Sequence, residues 1–423
     1  MIATCMEKKR FKIAALGCRT NQYEAQAFRD QLLSLGYEEA REGELAEICI
    51  VNTCTVTKSA DDRSKYQIRS LNRDNPDAKI FVTGCMTEKQ APALLGIAGV
   101  AGVVKNKEKE NLLKFAFPDQ EIPEFKIERF EAHTRAFVKV QDGCNSFCSY
   151  CIIPYVRGRS RSRRLETILD EVRGVVKNGF HEIVLTGINI GDFDGAPNEG
   201  EEPVRLSTLT QAVSAIEGVR RLRISSIDPD EVDDALIEVI KNSPNCVPSM
   251  HIVLQSGSNT VLKRMRRKYT VQQFFDTVDR LKKAIPAFTF TTDIIVGFPG
   301  ETEEEFAETL EVMNKVGFLK VHMFPYSKRE GTLAARMPNH LDPLVLQRRK
   351  EVLLEVADTL AGQQRQPYVG KIVEVLVESH NFGHTENFLP VQIEGALLEK
   401  NQFVKVLVVE NQKEALIGVV VPN

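Results

Sequence analysis

A unit of one short strand, a turn and one helix is repeated three times within the first hundred residues of this chain. Each copy begins with an apolar, β-branched run that ends in a cysteine, and a longer helical pattern follows it. The three cysteines are Cys18, Cys54 and Cys85. They are spaced 36 and 31 residues apart, which is the length of one strand–helix crossover unit. The repeat therefore predicts a parallel sheet covered by helices.

The three strand-end cysteines are expected to form one site. In a parallel sheet the carboxyl ends of all strands open at one edge, where ligands bind. We therefore expect Cys18, Cys54 and Cys85 to meet there as a three-thiolate centre. The alternative is that each fills a small buried position, as free cysteines often do. Cys49, inside the second strand, fits that alternative, and Cys5 is expected to be a terminal thiol.

A second trio, Cys144, Cys148 and Cys151, occupies one short loop. Iron–sulfur clusters are normally held by four cysteines, so three ligands leave one iron open. A small molecule with an amine and a carboxylate could bind that iron, and S-adenosylmethionine (SAM) carries both groups and supports radical chemistry. Zinc is the alternative, because C-x2-C pairs bind zinc in many intracellular proteins. However, the loop contains no histidine that could complete a zinc site.

The middle of the chain predicts a partial barrel. Six strand candidates alternate with helical or basic segments, at residues 136–140, 182–186, 222–226, 250–255, 290–296 and 320–326. Six parallel strands with crossovers fit a partial (β/α)6 barrel, whose chemistry lies at the carboxyl ends of the strands. The cysteine loop follows the first of these strands, so we expect it at the barrel mouth.

Short apolar runs at residues 372–377, 389–393, 403–409 and 415–420 predict a small antiparallel β-barrel at the end of the chain. A charged stretch at residues 105–135, with two prolines, predicts a linker between the first two regions. The fold class is therefore α/β with a C-terminal barrel. The expected domains are residues 1–120, 130–365 and 366–423.

Composition is typical of a soluble globular protein, with 43% hydrophobic and 27% charged residues in 423. The first residues lack the charge order of a signal peptide, and the longest weakly apolar run, at residues 93–104, is too short to cross a bilayer. We therefore expect a cytoplasmic monomer without membrane contact. In a reducing compartment, nine cysteines favour metal binding over disulfides.

Two basic runs stand out although the net charge is only −3. Residues 157–164 carry five arginines directly after the cysteine loop, and residues 263–268 carry five cations. Such patches can neutralise phosphates and steer nucleic acid toward a site. The alternative for either run is a solvated basic face.

All three regions together resemble the radical SAM methylthiotransferases, and the resemblance covers nearly the whole chain. It is carried by the three strand-end cysteines, by the C-x3-C-x2-C loop with Arg157-Gly-Arg159 after it, and by the runs at residues 186–191, 225–229, 251–257, 293–300 and 324–327. The resemblance implies an N-terminal methylthiotransferase domain, a radical SAM barrel and a C-terminal TRAM domain.

The resemblance also implies a transferase that joins CH3–S to an unactivated carbon. A [4Fe–4S] cluster on the loop cysteines is implied to cleave SAM on reduction, and the 5′-deoxyadenosyl radical removes a hydrogen atom from the substrate. A second [4Fe–4S] cluster, on the strand-end cysteines, is implied to present the sulfur. A second SAM supplies the methyl group, and a reducing protein supplies electrons. Both trios are thus implied to be metal-binding and catalytic.

Contacts to SAM are expected from strand ends and turns. The candidates are Tyr150 near adenine, Gly187 and Asn189 near the methionyl end, and Ser225, Gln255 and Ser256 on ribose or carboxylate. The alternatives are loop packing for Tyr150 and ordinary turns for Gly187 and Asn189.

The substrate carbon in this family is C2 of an adenosine beside a tRNA anticodon, with threonylcarbamoyl or isopentenyl at N6, or the β-carbon of an aspartate in a ribosomal protein. Residues 16–24 and 324–332 look most like the threonylcarbamoyladenosine branch. We therefore expect Arg157, Arg159 and Arg161 to contact a tRNA anticodon stem-loop, since phosphates set affinity and a flipped base sets the chemistry.

Two observations keep other readings open. Residues 367–423 hold four lysines or arginines and seven glutamates, so an RNA-gripping TRAM domain is not evident from charge, and a ribosomal-protein substrate remains an alternative. A non-catalytic iron–sulfur protein that binds RNA or senses redox state is the alternative from another class.

Overall fold

The N-terminal unit is a five-stranded parallel sheet with helices on it. The computed structural model describes residues 9–129, 134–395 and 397–421, so Cys5 lies outside the described residues. The sheet order is β2-β1-β3-β4-β5. Central strand β3 is buried along its whole length, as expected for a parallel strand covered on both faces. The predicted repeat is confirmed. The elements are β1 (Arg10–Ala15), α1 (Arg19–Ser34), β2 (Glu38–Glu39), β3 (Ile48–Thr53), α2 (Lys58–Asp74), β4 (Lys79–Gly84), α3 (Thr87–Leu95) and β5 (Val100–Val103).

Part of the stretch predicted as a linker is folded instead. Residues Asn106–Asn111 form a 3-10 helix, and α4 (Leu112–Ala116) follows it. Leu112 and Leu113 are fully buried in the core of the N-terminal unit. The linker prediction is therefore wrong for this segment, because its charged residues include Lys109, which lies inside the protein.

The central unit is a partial barrel of six parallel strands, as predicted. Two three-stranded sheets, β6-β9-β10 and β11-β12-β13, are joined by bridges between Leu222 and Cys246 and between Ile227 and Ile252. The short strands β7 and β8 pair beside them. The strands are β6 (Arg135–Lys139), β7 (Gln141–Asp142), β8 (Arg161–Ser162), β9 (Glu182–Thr186), β10 (Arg221–Ile224), β11 (Ser249–His251), β12 (Thr289–Val296) and β13 (Lys320–Pro325).

Amphipathic helices cover the outside of this barrel. Thr302 caps one of them: its hydroxyl accepts from the Glu305 amide at 3.2 Å, and the Glu305 carboxylate accepts from the Thr302 amide at 2.9 Å. The acidic residues there thus mark a helix start. The helices are α5 (Ile153–Val156), α6 (Leu165–Lys177), α7 (Leu206–Ser214), α8 (Asp234–Asn242), α9 (Asn259–Met265), α10 (Val271–Ala284), α11 (Glu303–Val316) and α12 (Pro343–Arg365). In the described part of the chain, none of the helices has the length and apolar character of a membrane span.

The C-terminal unit is a closed five-stranded barrel in the order β14-β15-β16-β18-β17. The small barrel predicted from the sequence is confirmed, with one parallel pair, β16 with β18. Strand β15 escaped sequence analysis because Gly383 and His384 interrupt any apolar run. The strands are β14 (Ile372–Ser379), β15 (Phe382–Thr385), β16 (Pro390–Glu394), β17 (Phe403–Asn411) and β18 (Leu416–Val420).

This small barrel packs on the amino ends of the central strands. Arg221 and Arg223 of β10 donate to the carbonyls of His384 and Thr385 at 3.1 and 3.0 Å. Thr289, the first residue of β12, donates to the Asn387 carbonyl at 2.7 Å. The cysteine loop lies beyond the opposite end of the strands, so the C-terminal unit covers the end away from the candidate site.

Substitution of Gly84, at the end of β4, tests how closely the backbone packs at the N-terminal sheet edge. Its φ is +96°, and a Cβ there would lie 2.4 Å from the Thr53 carbonyl oxygen. Gly43 has a similar φ of +83° with no atom within 4 Å. Gly43→Ala should cost only the left-handed strain, about 1 kcal/mol. Gly84→Ala should lower the free energy of unfolding by about 4 kcal/mol, measured by urea unfolding. If Gly84→Ala and Gly43→Ala lower the free energy of unfolding equally, the backbone around Gly84 can move apart without a cost in stability.

Candidate functional site

The structure brings the three strand-end cysteines together at the carboxyl edge of the N-terminal sheet. Cys18 follows β1, Cys54 follows β3 and Cys85 follows β4. Burial, with a smaller contribution from the neighbouring thiols Cys18 and Cys54, raises the pKa of Cys85 to about 12. At Gly17, a Cβ would lie 2.7 Å from the Cys54 sulfur, so only glycine lets the turn after β1 approach this thiol.

The loop cysteines form a second centre, after β7. The Cys144 sulfur accepts from the Ser146 amide at 3.3 Å, and the Cys148 sulfur accepts from Arg267 Nη1 at 3.1 Å. Burial, followed by the nearby Cys148 thiol, raises the pKa of Cys151 to about 12. A coordinated metal deprotonates the thiols that bind it outright.

Both trios offer thiols as their only donors. Among the described residues, no three Cys, His, Asp or Glu side chains converge closely enough to hold a single metal ion. A zinc site needs ligands about 2.0 to 2.3 Å from one centre. The cysteines of an iron–sulfur cluster bind different irons, so they stand farther apart. The donor set of thiols alone also matches iron–sulfur chemistry.

The two centres lie close to each other. Cys85 packs in a small apolar cluster with Ile152 and Val156, and Ile152 directly follows Cys151. A cavity of about 190 Å³ beside Cys151 is walled on one side by Val56, just after Cys54. One cavity therefore adjoins the N-terminal sheet edge and the barrel mouth.

The largely apolar wall of this cavity carries two polar atoms without partners in the described part of the chain. Tyr150 and Gln255 line it, together with Asp293 and Tyr326. The Gln255 Oε1 and Tyr326 hydroxyl atoms are buried and have no hydrogen-bond partner within the described residues. Gln255 also has a φ of +64°, an uncommon conformation for this residue type. Of the residues expected at SAM, Tyr150 and Gln255 thus share one wall with Cys151.

The remaining SAM candidates lie elsewhere around the mouth. The Ser225 hydroxyl is buried without a partner, as an unmet ligand contact would be. Ser256 is fully buried, and its hydroxyl accepts from the Ser258 amide at 3.2 Å, so it serves the turn and does not line this cavity. Asn189 donates to Glu231 Oε1 at 2.9 Å, close to Gly187 in the same turn.

Sequence analysis missed three charged residues at the mouth. Burial and the neighbouring Asp228 raise the pKa of Glu231 to about 7. Arg267 bonds both Cys148 and Asp228, and only 7% of its side chain is exposed. The basic run at residues 263–268 is therefore not a solvated face throughout. The runs were visible in the sequence, but the partners of Arg267 lie in distant segments.

Arg157 does not lie where an RNA phosphate could meet it. It has no exposed surface, and its guanidinium donates to Asp142 at 2.8 Å and to Glu24 at 3.4 Å, with Asn21 as a further partner. The prediction that Arg157 contacts substrate RNA is therefore corrected: carboxylates of two units hold it inside. Arg159 and Arg161 are exposed, and Arg159 stacks on Phe147 at 4.2 Å.

A buried ionic network surrounds Arg157. Lys109 lies 2.6 Å from Glu24 and 2.7 Å from Asp142, and Lys139 lies 3.7 Å from Glu24. Three buried cations thus face two buried carboxylates. Arg157 Nη2 is also 3.9 Å from the Cys18 sulfur. The excess positive charge lies beside the strand-end thiols, where a thiolate centre would balance it.

The barrel lumen beneath the mouth is polar. His251 Nε2 lies 3.3 Å from Asp293, and the His251 and His322 rings are 5.7 Å apart. Arg19, directly after Cys18, lies over the Phe137 ring at 5.7 Å. Burial, followed by repulsion from Arg135, lowers the pKa of Arg19 to about 10, so it stays charged at neutral pH.

Comparisons with known proteins agree with this arrangement. The chain matches the Radical SAM superfamily over residues 138–313 and Uncharacterized protein family UPF0004 over residues 10–109. A threonylcarbamoyladenosine tRNA methylthiotransferase of Chlamydia pneumoniae is 46% identical, covering 98% of this chain and 99% of that protein. One from Bacillus subtilis (strain 168) is 39% identical, covering 93% and 92%.

Two further similarities bear on substrate and fold. A tRNA-2-methylthio-N(6)-dimethylallyladenosine synthase of Clostridium novyi is 32% identical, covering 98% of this chain and 97% of that protein. The solved radical S-adenosylmethionine methyltransferase TsrM from Kitasatospora setae superposes with a TM-score of 0.55 at 14% identity, covering 76% of this chain and 75% of that chain. This last likeness concerns the fold alone.

The stabilisation that the ionic network gives through Glu24 should appear in the pH dependence of the unfolding free energy. Lys109 and Arg157 hold the pKa of Glu24 at about 2 against the cost of burial. Because the folded-state pKa is depressed, the stabilisation is complete above about pH 5 and is lost as the pH falls toward 2. Glu24→Gln should cost about 3 kcal/mol of unfolding free energy at pH 7 and less at pH 3. Exposed Glu311→Gln is the control and should change nothing; a constant Glu24→Gln deficit would contradict the assignment.

Proposed function

The chain belongs to the radical SAM methylthiotransferase family, and from that premise we propose that it attaches a methylthio group to C2 of N6-threonylcarbamoyladenosine beside the tRNA anticodon. Relatives that carry this substrate in their names share 35% to 46% identity over at least 88% of the chain, and the first two share 46% and 39%. Relatives named for the dimethylallyl substrate share 32% to 35%. The activity is that of a transferase.

One observation carries the proposal: Cys85 of one trio packs on Ile152, the residue after Cys151 of the other, and the cavity beside Cys151 is walled by Val56 of the N-terminal sheet edge. When bound, two iron–sulfur clusters and SAM would supply the radical that removes hydrogen, the sulfur and the methyl group. The residues of the chain hold these groups at fixed places. Because the cavity beside Cys151 reaches the turn after Cys54, a single adenine bound there would lie near both trios.

The residues around the cysteine loop and the cavity have separate tasks. Arg267 donates to the Cys148 sulfur at 3.1 Å and holds this side chain in place. Gln255 and Tyr326 present unpaired polar atoms that can orient a bound ligand. Apolar Val56 and Ile295 complete the wall and help to exclude water, which protects a reactive radical from side reactions.

The RNA partner is supported by charge outside the C-terminal unit. Residues 367–423 carry a net charge of −3. A groove beside the mouth, however, is lined by Lys58, Lys65, Lys89 and Lys328. Exposed Arg159 lies near the same face, since Phe147 beneath it contacts Tyr155, which Lys89 covers at 5.7 Å. Phosphates can therefore be neutralised at the mouth itself. A reducing electron donor protein completes the proposed set of partners, and we propose a cytoplasmic monomer.

The two trios should separate in a cysteine substitution test. Anaerobically reconstituted protein should hold about eight irons, and Cys148→Ala and Cys85→Ala about four each. Cys148→Ala should form no 5′-deoxyadenosine with dithionite and SAM, whereas Cys85→Ala should form it and yield no methylthio nucleoside. Cys246→Ala, whose thiol is buried away from both trios, is the control. A wild-type preparation with one cluster, or with zinc, would overturn the proposal.

The substrate assignment is checked in cells by nucleoside mass spectrometry. Deletion of the gene should abolish 2-methylthio-N6-threonylcarbamoyladenosine and leave its precursor, and the Cys85→Ala chain should fail to restore it. Loss of a methylthio-isopentenyl nucleoside or of a methylthio-aspartate instead would reassign the substrate within the family.

Phosphate contact should appear in the salt dependence of RNA binding. Arg159→Gln should lower the slope of log affinity against log salt by about 0.7 to 0.9, the value for one released counterion. Arg173→Gln is the matched control, because Arg173 is exposed but lies on α6, paired with Asp170 at 2.7 Å. An unchanged slope for Arg159→Gln would remove this residue from the RNA surface.

A further inference from the structure

Arg19 reaches into the barrel from the N-terminal unit. It directly follows Cys18 and begins α1. Arg19 is solvent-exposed, and the charged groups around it, Arg135, Arg223 and Asp293, place it in the cleft between the N-terminal unit and the barrel. The guanidinium carbon lies 5.7 Å from the centre of the Phe137 ring on β6. Asp293 on β12 attracts the guanidinium electrostatically. These two strands are far apart in the strand order, so Arg19 lies within the lumen.

Arg19 lacks an anionic partner. Within residues 9–129, 134–395 and 397–421, Arg19 makes no hydrogen bond or ion pair, and its guanidinium lies over the Phe137 ring. Asp293, the nearby carboxylate, lies 3.3 Å from His251 Nε2, which makes no hydrogen bond within the described residues. Glu182, deeper in the barrel, is engaged by Arg223 at 2.6 Å and by Arg221 at 3.5 Å.

The charges around Arg19 favour an anionic ligand. Arg135 and Arg223 repel Arg19, and Asp293 attracts it. Because Arg19 is solvent-exposed in the cleft and carries no ion pair among the described residues, its guanidinium is free to bind an anion. The planar guanidinium matches a carboxylate through two parallel hydrogen bonds. The lumen thus presents, beside the Cys18 thiol, a free guanidinium that suits an anionic, planar group.

We propose that Arg19 recognises the carboxylate of the N6-threonylcarbamoyl group and thereby selects this substrate; the inference rests on the proposed function and adds its specificity residue. In adenine, C2 and C6 both adjoin N1, so a residue that holds the N6 substituent also sets the position of C2. An isopentenyl group has no charge and would leave Arg19 unpaired. The residue next to Cys18 therefore couples substrate choice to the place where sulfur is held.

The test changes the substrate and the residue together. Three anticodon stem-loop RNAs are prepared, with N6-threonylcarbamoyladenosine, with its neutral threonine amide, and with isopentenyladenosine. Affinity is measured by fluorescence anisotropy, and kcat and KM by nucleoside mass spectrometry, on reconstituted holoenzyme. Wild type should prefer the carboxylate over the amide by about 10- to 100-fold, the range for hydrogen bonds between charged groups.

Variants assign that preference to Arg19. Arg19→Gln should bind carboxylate and amide RNA equally, at the wild-type affinity for the amide. Arg19→Lys should recover part of the preference, because it keeps the charge but not the paired donors. Arg69→Gln, an exposed arginine on α2, should keep the full preference. Iron content and the visible spectrum are measured for each variant, so that loss of the neighbouring cluster is not mistaken for loss of recognition.

The outcomes separate the two proposals. If wild type fails to modify threonylcarbamoyl RNA but an isopentenyl RNA or an aspartyl ribosomal protein is modified, the proposed function fails. If wild type modifies threonylcarbamoyl RNA yet does not distinguish acid from amide, or if Arg19→Gln with full iron keeps the distinction, the role of Arg19 is overturned. Anisotropy reports on the distinction even where turnover is absent.

Discussion

The ionic network around Glu24 joins the two halves on which the site depends. Glu24 belongs to α1 of the N-terminal unit, and Asp142 and Arg157 flank the cysteine loop of the barrel. Lys109 bonds both carboxylates at 2.6 and 2.7 Å, from the segment that follows the N-terminal sheet. Buried ion pairs add little net stability but are costly to break, so they specify one relative placement of two units. Here that placement sets how far apart the two thiol centres lie.

The sequence predicted those parts of the fold that depend on the periodicity of apolar residues and on the order of the elements along the chain. The three strand–helix repeats and the six barrel strands have apolar runs that read the same way in isolation as in the structure. Residues 106–116 were mistaken for a linker, because Lys109 is buried only through partners far away in sequence. Strand β15 was missed since Gly383 and His384 give it no pattern.

The site was predictable only in part, for the same reason. Cysteine positions are local facts, and parallel topology then dictates where strand-end thiols meet. The local sequence does not decide whether an arginine is buried. Arg157 and Arg159 are two residues apart, yet Arg157 is fully buried and Arg159 is exposed. A run of arginines thus predicts positive charge but not which members face water. Glu231 and Arg267 could not be found from sequence, because tertiary partners alone give them their role.

The C-terminal unit covers one end of the barrel, so the opposite end, the mouth, is left for ligands. The C-terminal unit packs on the amino ends of the strands through Arg221, Arg223 and Thr289. Its net negative charge is compatible with this position, because the basic residues that can meet phosphate lie at the mouth. The proposed function therefore places substrate entry at the mouth, beside the N-terminal sheet edge. In the proposed reaction, recognition by Arg19 and chemistry in the cavity beside Cys151 would take place on this same side of the barrel.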